Sequence, residues 1–417
     1  MVRDQGRAPG WLGVTMAILL GGWVVTTASS AAEFKISKGD RVVFLGATFI
    51  ERMQDTSYVE TELTSRWLGE SVTFRNLGWS GDTVAGVSRA VFGKPADGFT
   101  RLLRDVKGTR PTVVVVCYGG NEAHRGPSGH ATFVKGVQHL LDNLEKLESR
   151  IVIMSPPAQE KPRPPLPQPT QYNRQLAKYV AALKTIAAKR GHEFIATESI
   201  RESTSGALTD NGVHLTDRGY WALAPGIATA MSAPKRAWSV TLDVGKENGQ
   251  FRGAEVSNVK LAADRVAFDA ISDHLPHAAP PRSFHQEAAC LPGASDVSER
   301  KLSISGLQGG NYEIKVDGTV VARASAKRLA AGVSLDASWE QGQTQRLREL
   351  IVAKNKLYFH RYRPQNETYL FLFRKHEQGN NAVEIPQFDP LVAGLEARIS
   401  RSAKPVNHRF EVIRTKP

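Results

Sequence analysis

Residues 42–48 read Val-Val-Phe-Leu-Gly-Ala-Thr, and this stretch decides the fold. Its consecutive apolar residues predict a strand buried in a sheet, and the glycine predicts a sharp turn into a helix. The turn would hold the hydroxyl of Thr48 at the carboxyl end of the strand, which is where open α/β sheets bind ligands. The local sequence is equally consistent with Thr48 as a simple N-cap of the helix.

Strand and helix patterns alternate from residue 41 to about residue 231. Alternation of this kind predicts an α/β fold, in which helices cover both faces of a parallel sheet. The predicted strands are 41–45, 72–77, 112–118, 151–155 and 193–196, and the predicted helices lie near 50–68, 97–107, 128–147, 170–190 and 217–231.

The segment 156–169 contains seven prolines, which exclude a helix and a central strand. Because it follows a predicted strand, we expect it to be a stiff loop on the same edge of the sheet as Thr48. A plain surface connection is the alternative.

The composition changes after about residue 235, where alternating apolar and polar residues predict a small antiparallel β module, sandwich-like, over 235–330. The remainder, 331–417, has a mainly helical pattern. Within it, 361–381 mixes aromatic residues with arginine, asparagine and histidine. We expect 361–381 to fold back onto the first domain near its ligand site, with a contact surface for the β module as the alternative.

The overall composition describes a folded protein with a basic surface. Of the 417 residues 41% are hydrophobic, which is enough for a core, and the formal net charge is +13. The charges are dispersed and no nucleic-acid motif occurs, so nucleic acid is not the expected partner, whereas an acidic polymer or envelope surface fits the charge.

The cysteines and histidines give no sign of a disulfide scaffold or a metal site. Only two cysteines occur, Cys117 and Cys290, and Cys117 lies in a valine run typical of a buried strand. His274, His277 and His285 are irregularly spaced among prolines, and we interpret them as solvated loop residues.

The first 32 residues have the pattern of a signal peptide. Arg3 and Arg7 precede an apolar core over 11–25, and small residues follow at 28–32. This core is short for a membrane span, although an uncleaved anchor is the alternative. The sequence therefore predicts export to a periplasm or the cell exterior, with no membrane span after cleavage.

Four short motifs follow predicted strands and should converge on one edge of the sheet. Glycine N–H groups and an asparagine side chain there can stabilise an oxyanion, and a histidine can act as a general base toward a hydroxyl nucleophile. The motifs are Gly46–Thr48, Asn76–Thr83, Tyr118–Glu122 and Thr209–Leu215.

These motifs, in this order, resemble the SGNH or GDSL-type hydrolase family over about residues 38–231. The resemblance implies a flavodoxin-like three-layer α/β/α domain with a five-stranded parallel sheet, over 33–234. It implies hydrolysis of esters, often acetyl groups on carbohydrates. By the resemblance Thr48 occupies the nucleophile position, Gly81 and Asn121 are oxyanion donors, and His214 is the base. No metal or organic cofactor is implied.

The chain departs from the family pattern at two positions. The nucleophile is serine in the family, and the methyl group of Thr48 stiffens the side chain and crowds the path of attack. The family acid lies three residues before the histidine, where this chain has Asn211, with Asp210 one residue earlier. The first hypothesis is an active ester hydrolase, with Asp210 or Asn211 orienting His214. The second is a catalytically silent domain that binds a glycan or envelope ligand.

Overall fold

The computed structural model describes residues 34–68, 71–202, 206–281 and 300–415. The predicted signal peptide, His285 and Cys290 lie outside the described residues. Within them, no helix is long and apolar enough to cross a membrane.

The first domain is built on a five-stranded parallel sheet with the strand order β2-β1-β3-β4-β5. This order is that of flavodoxin-like sheets, and it confirms the predicted fold class. The valine runs of the central strands are buried on both faces, as expected for a covered parallel sheet. The strands are β1 Arg41–Gly46, β2 Thr73–Asn76, β3 Val113–Cys117, β4 Arg150–Met154 and β5 Glu193–Ile195.

Helices cover both faces of this sheet and bury a separate apolar cluster on each side. The helices are α1 Thr48–Thr56, α2 Tyr58–Thr64, α3 Pro95–Gly108, α4 Gly126–Leu144, α5 Thr170–Arg190, α6 Thr197–Glu202 and α7 Asp217–Ala230. The predicted helix 50–68 is two helices, because Ser57 adopts a left-handed conformation with φ 53° and breaks the chain direction. Cys117 is buried, in agreement with the prediction of a core residue.

The β module consists of two sheets that share one apolar core. One sheet has the order β13-β10-β6-β7 and the other has the order β12-β11-β14-β9-β8. The strands are β6 Trp238–Asp243, β7 Asn248–Arg252, β8 Ala254–Leu261, β9 Arg265–Ser272, β10 Arg300–Ser305, β11 Asn311–Val316, β12 Thr319–Ser325, β13 Val333–Leu335 and β14 Asn407–Arg414. The pairing is antiparallel except between β6 and β10, which are parallel.

The C-terminal segment is helical only in part. Its helices are α9 Ser338–Tyr362, α10 Glu367–Leu370 and α11 Phe388–Ala403, after α8 Ala326–Ala331 of the β module. Its last strand, β14, lies between β11 and β9 in the middle of the larger sheet. The predicted helical tail is present in these helices, and β14 is an element that the prediction did not include. The alternating buried residues His408, Phe410 and Val412 explain the difference, since one face of the strand enters the core.

Buried charged groups connect the first domain to the segments that follow it. The Glu62 carboxylate on α2 pairs with Arg236 and accepts a hydrogen bond from the His277 ring at 2.7 Å. On α9, Lys354 Nζ donates to Glu60 Oε1 at 2.6 Å. An isolated buried charge is costly, so these pairs fix how the parts meet.

The prediction that His274 and His277 are solvated was wrong. Both are buried, and the ring of His274 lies 2.7 Å from an Arg300 nitrogen, Nε2 to Nη1. Their polar partners, Arg300 for His274 and Glu62 for His277, are distant in sequence, so the local spacing did not reveal them. Over the described ranges, no group of three or more histidine, cysteine or acidic residues could hold a metal ion.

Candidate active site

Thr48 lies where the first motif was expected to place it. It is the first residue of α1, directly after the turn Gly46–Ala47 that ends β1. Gly46 packs closely on β3, since a Cβ there would lie 2.5 Å from the Cys117 carbonyl oxygen. The N-cap residue is Ala47, which makes no side-chain capping bond. Thr48 is thus inside the helix, and its hydroxyl is not a cap.

The two expected oxyanion donors, Gly81 and Asn121, both lie near Thr48. The backbone N–H of Gly81 donates to Thr48 Oγ1 at 3.3 Å, and Gly81 has a left-handed φ of 75° that favours glycine. Asn121 Nδ2 donates one hydrogen to the Asp82 carbonyl at 2.7 Å. An amide nitrogen carries two hydrogens, so Asn121 keeps one for a ligand. The N–H of Thr48, in the first turn of α1, has no partner within the helix.

Buried polar side chains connect the segment that carries Gly81 to the segment that carries Asn121. Glu122 accepts hydrogen bonds from the backbone N–H groups of Val84 at 2.8 Å and Gly119 at 3.0 Å, and so joins the second motif to the third. Burial raises the pKa of Glu122 above its ordinary value. Asp82 Oδ2 accepts from Arg89 Nε at 2.7 Å and from the Tyr118 hydroxyl at 3.0 Å. The spacing of the two expected oxyanion donors therefore rests on other residues of the same two motifs, Asp82, Tyr118 and Glu122, together with Arg89.

His214 has the partner that the sequence placed three residues before it. Asn211 Nδ2 lies 3.1 Å from His214 Nδ1. Asn211 Oδ1 accepts from the backbone N–H groups of Val213 at 2.9 Å and His214 at 2.8 Å. Asp210 donates its backbone N–H to the His214 carbonyl at 3.3 Å and does not line the cavity described below. Of the two candidate orienting residues, the structure brings only Asn211 to the imidazole.

These contacts fix the tautomer of neutral His214. The two backbone N–H groups require an oxygen, so the amide of Asn211 must turn its nitrogen toward the ring. An amide nitrogen only donates, and Nδ1 must then be the acceptor. The ring proton of neutral His214 therefore sits on Nε2. A general base toward Thr48 needs the opposite tautomer, with the lone pair on Nε2.

One cavity of about 150 Å³ contains the site. It is walled by backbone and side chains from every motif except the second, and by the proline-rich loop. The lining residues are Ala47, Thr48, Phe49, Arg52, Cys117, Gly120, Asn121, His124, Pro156, Pro157, Gln159, Tyr172, Val213, His214, Leu215 and Tyr220. The predicted position of the proline-rich loop on the edge of Thr48 is confirmed.

Several lining residues were missed from the sequence. Arg52 follows Thr48 by four residues on α1, so the two share a helix face. Tyr172 donates its hydroxyl to the Gly120 carbonyl at 2.8 Å, and its ring packs on His124 with 4.4 Å between ring centroids. The i, i+4 spacing would have revealed Arg52, whereas His124 and Tyr172 meet only through tertiary packing.

Glu160, also missed, anchors the loop that carries His214. Its carboxylate accepts from the backbone N–H groups of Leu208 and Thr209 and from the Thr209 hydroxyl. Burial alone would raise the pKa of Glu160, but these hydrogen bonds and the nearby Arg201 lower it below its ordinary value. The proline-rich loop thus holds the histidine loop as well as lining the cavity.

The tail folds back beside the site, as the sequence predicted. The Tyr362 hydroxyl donates to the Gly78 carbonyl at 2.5 Å. Arg363 Nη1 donates to Glu51 Oε2 at 2.8 Å, and its guanidinium lies 4.1 Å from the ring centroid of Trp79. The segment supports the Gly78–Gly81 loop from outside, rather than lining the cavity of Thr48.

Comparison with known families supports the resemblance seen in the motifs. Residues 49–222 match the model of the GDSL-like lipase/acylhydrolase family, beginning one residue after Thr48. This part of the chain is a GDSL-like lipase/acylhydrolase domain. This match supports an ester-hydrolase activity for the domain. No curated protein matches the chain significantly.

A solved structure shares the fold of the chain, and others are similar over the first domain only. A gut microbial diltiazem-metabolizing enzyme, BT4096, is 16% identical with a TM-score of 0.72, and the match covers 92% of this chain and 100% of that one. The acetylxylan esterase Axe2 from Geobacillus stearothermophilus is 20% identical with a TM-score of 0.39, over 48% of this chain and 97% of its own. The breadth of the first match shows that the β module and tail belong to the shared fold.

Proposed function

We propose that the protein is an exported hydrolase of carboxylic esters, with acetylated glycans as a substrate class, and that Thr48 and His214 carry the reaction. The observation behind this proposal is that Thr48, Asn121 and His214 line one cavity while the N–H of Gly81 reaches Thr48 Oγ1. A cavity of about 150 Å³ suits a small acyl group such as acetyl.

The reaction would follow the covalent route of hydroxyl hydrolases. Thr48 Oγ1 attacks the ester carbonyl carbon while His214 Nε2 takes the hydroxyl proton. The carbonyl oxygen becomes an oxyanion, held by the N–H groups of Thr48 and Gly81 and the side-chain amide of Asn121. His214 returns the proton to the leaving alcohol, and the acyl group remains on Thr48. Water, deprotonated by His214, then releases the acid and restores Thr48.

Asn211 makes this route slow. The reactive tautomer of His214 carries its proton on Nδ1, opposite the amide N–H of Asn211, so that two donors face each other. Asn211 also cannot stabilise the imidazolium that forms. In serine proteases, replacing the acid by its amide lowers kcat by about 10⁴. We therefore expect measurable but weak turnover of activated esters.

The second hypothesis, a silent domain that binds a glycan or envelope ligand, is compatible with the same tautomer. With Nε2 protonated, His214 is a hydrogen-bond donor into the cavity, beside the amide of Asn121 and the N–H of Gly81. Such a set of donors recognises a carbonyl or anionic oxygen even when no acyl transfer occurs.

Acyl-enzyme formation separates the two functions. We expect purified protein to release 4-nitrophenol from 4-nitrophenyl acetate in a burst, and mass spectrometry to find an added acetyl group on the peptide of Thr48. Thr48→Ala and His214→Ala should remove the burst. Release that persists in Thr48→Ala would show that another group acts, and no release from wild type would leave only the binding function.

Export has its own test. The proposal rests on the positive start, apolar core and small-residue exit of residues 1–32. We expect the mature chain to begin near Ala31 or Glu33, as measured by mass spectrometry of exported protein. An intact Met1 end recovered from the membrane fraction would instead establish an uncleaved anchor.

A further inference from the structure

We propose that Arg52 is a specificity-determining residue that binds an anionic group of the substrate, so that the preferred esters carry a carboxylate next to the acylated hydroxyl. This inference rests on the proposed function and adds the substrate class. Uronic acids and simple carboxylate-bearing alcohols share that chemistry.

The position of Arg52 places its charge beside the reacting group. Arg52 lies one turn after Thr48 on α1, where Cβ atoms of i and i+4 residues are about 5–6 Å apart. Both side chains line the same cavity. Arg52 is half-buried, so the guanidinium is partly shielded from water. A bound anion there would be screened less than on an open surface.

Arg52 forms no hydrogen bond or ion pair with any residue in the described part of the chain. Its neighbour Glu51 is occupied, since it accepts from Arg363 and from the backbone N–H of Ser80. Asp55 is close enough for the Arg52 charge to lower its pKa, but burial and the charge of Glu51 outweigh that effect and raise it, and no ion pair forms. The guanidinium is therefore available to a ligand.

The rest of the cavity is suited to negative charge. No aspartate or glutamate is among its described lining residues, while Arg52, His124 and His214 are. A guanidinium recognises a carboxylate through two parallel N–H···O bonds, with geometry that favours a planar anion. The positive net charge of the chain, +13, would also attract an acidic polymer.

The anion belongs to the alcohol side of the ester, because an acetyl group carries no charge. A volume of about 150 Å³ holds the acetyl group and only part of a sugar ring, so the rest of the alcohol extends toward the opening. A carboxylate on the ring of a uronic acid lies several ångströms from its acylated hydroxyl, which matches the reach of Arg52 from Thr48. The reaction that produces this substrate is therefore O-acylation of a uronic acid or similar hydroxy acid.

The test compares two esters that differ only in charge, 3-acetoxybenzoate and 3-acetoxybenzamide. Wild type should show a kcat/KM for the benzoate at least about tenfold higher than for the benzamide. Arg52→Gln should lower kcat/KM for the benzoate by about tenfold, chiefly through KM, and change the benzamide less than about threefold. Arg52→Lys should restore part of the preference, and Arg52→Glu should reverse it.

Arg163→Gln is the matched control. Arg163 is exposed on the proline-rich loop and does not line the cavity, so this variant removes the same charge from the same edge of the domain. It should leave the preference for the benzoate unchanged at moderate salt. An equal loss in Arg163→Gln would reduce the effect to general electrostatic attraction and overturn the proposal. An equal loss of both esters in Arg52→Gln would do the same, since it would show a structural role.

Binding distinguishes failure of this inference from failure of the hydrolase function. If neither ester is cleaved, calorimetry with methyl glucuronide and methyl glucoside still tests the site. Tighter binding of the glucuronide by wild type, lost in Arg52→Gln, would support the anion site in a protein without turnover. Equal binding of both sugars, or no binding of either, would overturn it.

Discussion

At the scale of single residues, the amide of Asn211 governs whether His214 can act as a base. Its oxygen is committed to two backbone N–H groups, and its nitrogen faces Nδ1. In Asn211→Asp, one carboxylate oxygen can keep the backbone bonds while the other accepts Nδ1–H. The lone pair then moves to Nε2, facing the cavity.

We expect Asn211→Asp combined with Thr48→Ser to raise kcat/KM for 4-nitrophenyl acetate by about 10²-fold or more. Each single change should do less, because nucleophile, base and acid act as a unit. Adding His214→Ala should abolish the gain. If the double variant is instead slower than wild type, Thr48 is an adapted nucleophile, and Thr48 and Asn211 do not lower the activity of the site.

Nitrogen NMR of the His214 ring tests the tautomer without any turnover. Wild type should show Nε2 protonated and Nδ1 unprotonated at neutral pH, and Asn211→Asp should show the reverse. A protonated Nδ1 in wild type would mean that the amide of Asn211 is turned over, which contradicts the assignment made from the backbone N–H groups.

Glu160 makes the histidine loop sensitive to acid. Its folded pKa is lowered, because hydrogen bonds from Thr209 and Leu208 outweigh the effect of burial. The carboxylate therefore stabilises the loop at pH values above the ordinary glutamate pKa of about 4.3, and this contribution is lost as the pH falls through the lowered folded value. Glu160→Gln should cost about 2 kcal/mol at pH 7.

The pH dependence separates this anchor from a general loss of packing. In thermal unfolding between about pH 7 and pH 3, wild type and Glu160→Gln should converge at the acid end, since protonated Glu160 resembles glutamine. Glu202→Gln, at an exposed position on α6, should match wild type throughout. A constant gap between wild type and Glu160→Gln across this range would contradict the proposed anchoring by charge.

The family motifs predicted the positions of Thr48, Asn121 and His214 but not the tautomer of His214. Thr48, Asn121 and His214 lie together because each follows a strand of one parallel sheet, which is a pattern visible in the sequence. The tautomer of His214 depends on whether the oxygen or the nitrogen of the Asn211 amide faces the backbone N–H groups of Val213 and His214. The anchor Glu160 lies 48 residues before Leu208 and 49 before Thr209, so no local pattern could reveal it.

At the scale of elements, α2 is the point where the first domain meets the β module. Glu62 is buried and accepts hydrogen bonds from Arg66, Arg236 and His277. Burial would raise the pKa of Glu62, but the charges of Arg236, His277 and Arg66 hold it well below its ordinary value. The carboxylate therefore remains charged through the neutral range and into mild acid.

Glu62→Gln should destabilise the protein by about 3–5 kcal/mol, because it leaves buried cations without their counter-charge. The measurement is chemical unfolding at pH 7. Glu313→Gln is the control, since Glu313 pairs with the exposed Arg323 at 2.8 Å and such a pair is worth about 0–1 kcal/mol. A similar loss of unfolding free energy in the two variants would show that the buried ion pairs of Glu62 stabilise the protein no more than an exposed pair does.

The elements of the first domain were predictable, whereas the assembly of the C-terminal part was not. Apolar runs of strand length and helical spacing identified all five strands, with ends within a few residues, and the helical regions around them except α6. The sequence of β14 also alternates between apolar and polar residues, but no local pattern predicts that it pairs with strands more than 90 residues earlier in the chain. Pairing over such a separation is decided by the complementary apolar faces after folding.

At the scale of the whole molecule, the C-terminal segment contacts both the β module and the first domain. The C-terminal strand completes the larger sheet of the β module, and α9, earlier in the same C-terminal segment, packs on the first domain through Lys354 and Glu60. The tail also supports the Gly78–Gly81 loop through Tyr362. Loss of the last strand should therefore affect more than the β module and weaken the support of Gly81, the proposed oxyanion donor.

The size of this effect can be argued from Phe410. Its side chain is 1% exposed, stacks on Phe268 with centroids 4.8 Å apart, and packs against Trp238 at 5.8 Å. Removing a buried phenylalanine of this kind costs about 3–5 kcal/mol. Val406→Ala, just outside the strand at a residue 50% exposed, is the control and should cost less than about 0.5 kcal/mol.

A chain ended after residue 403 tests the contribution of the last strand directly. It keeps α9 and its contacts but lacks β14, so β11 and β9 present unpaired edges on either side of the missing strand. We expect a lower Tm, a tendency to aggregate and weaker ester hydrolysis. A peptide of residues 404–417 added in trans should restore the Tm by strand addition, whereas the same peptide with Phe410→Asp should not. A truncated chain with unchanged Tm and activity would show that the C-terminal strand is dispensable for both domains.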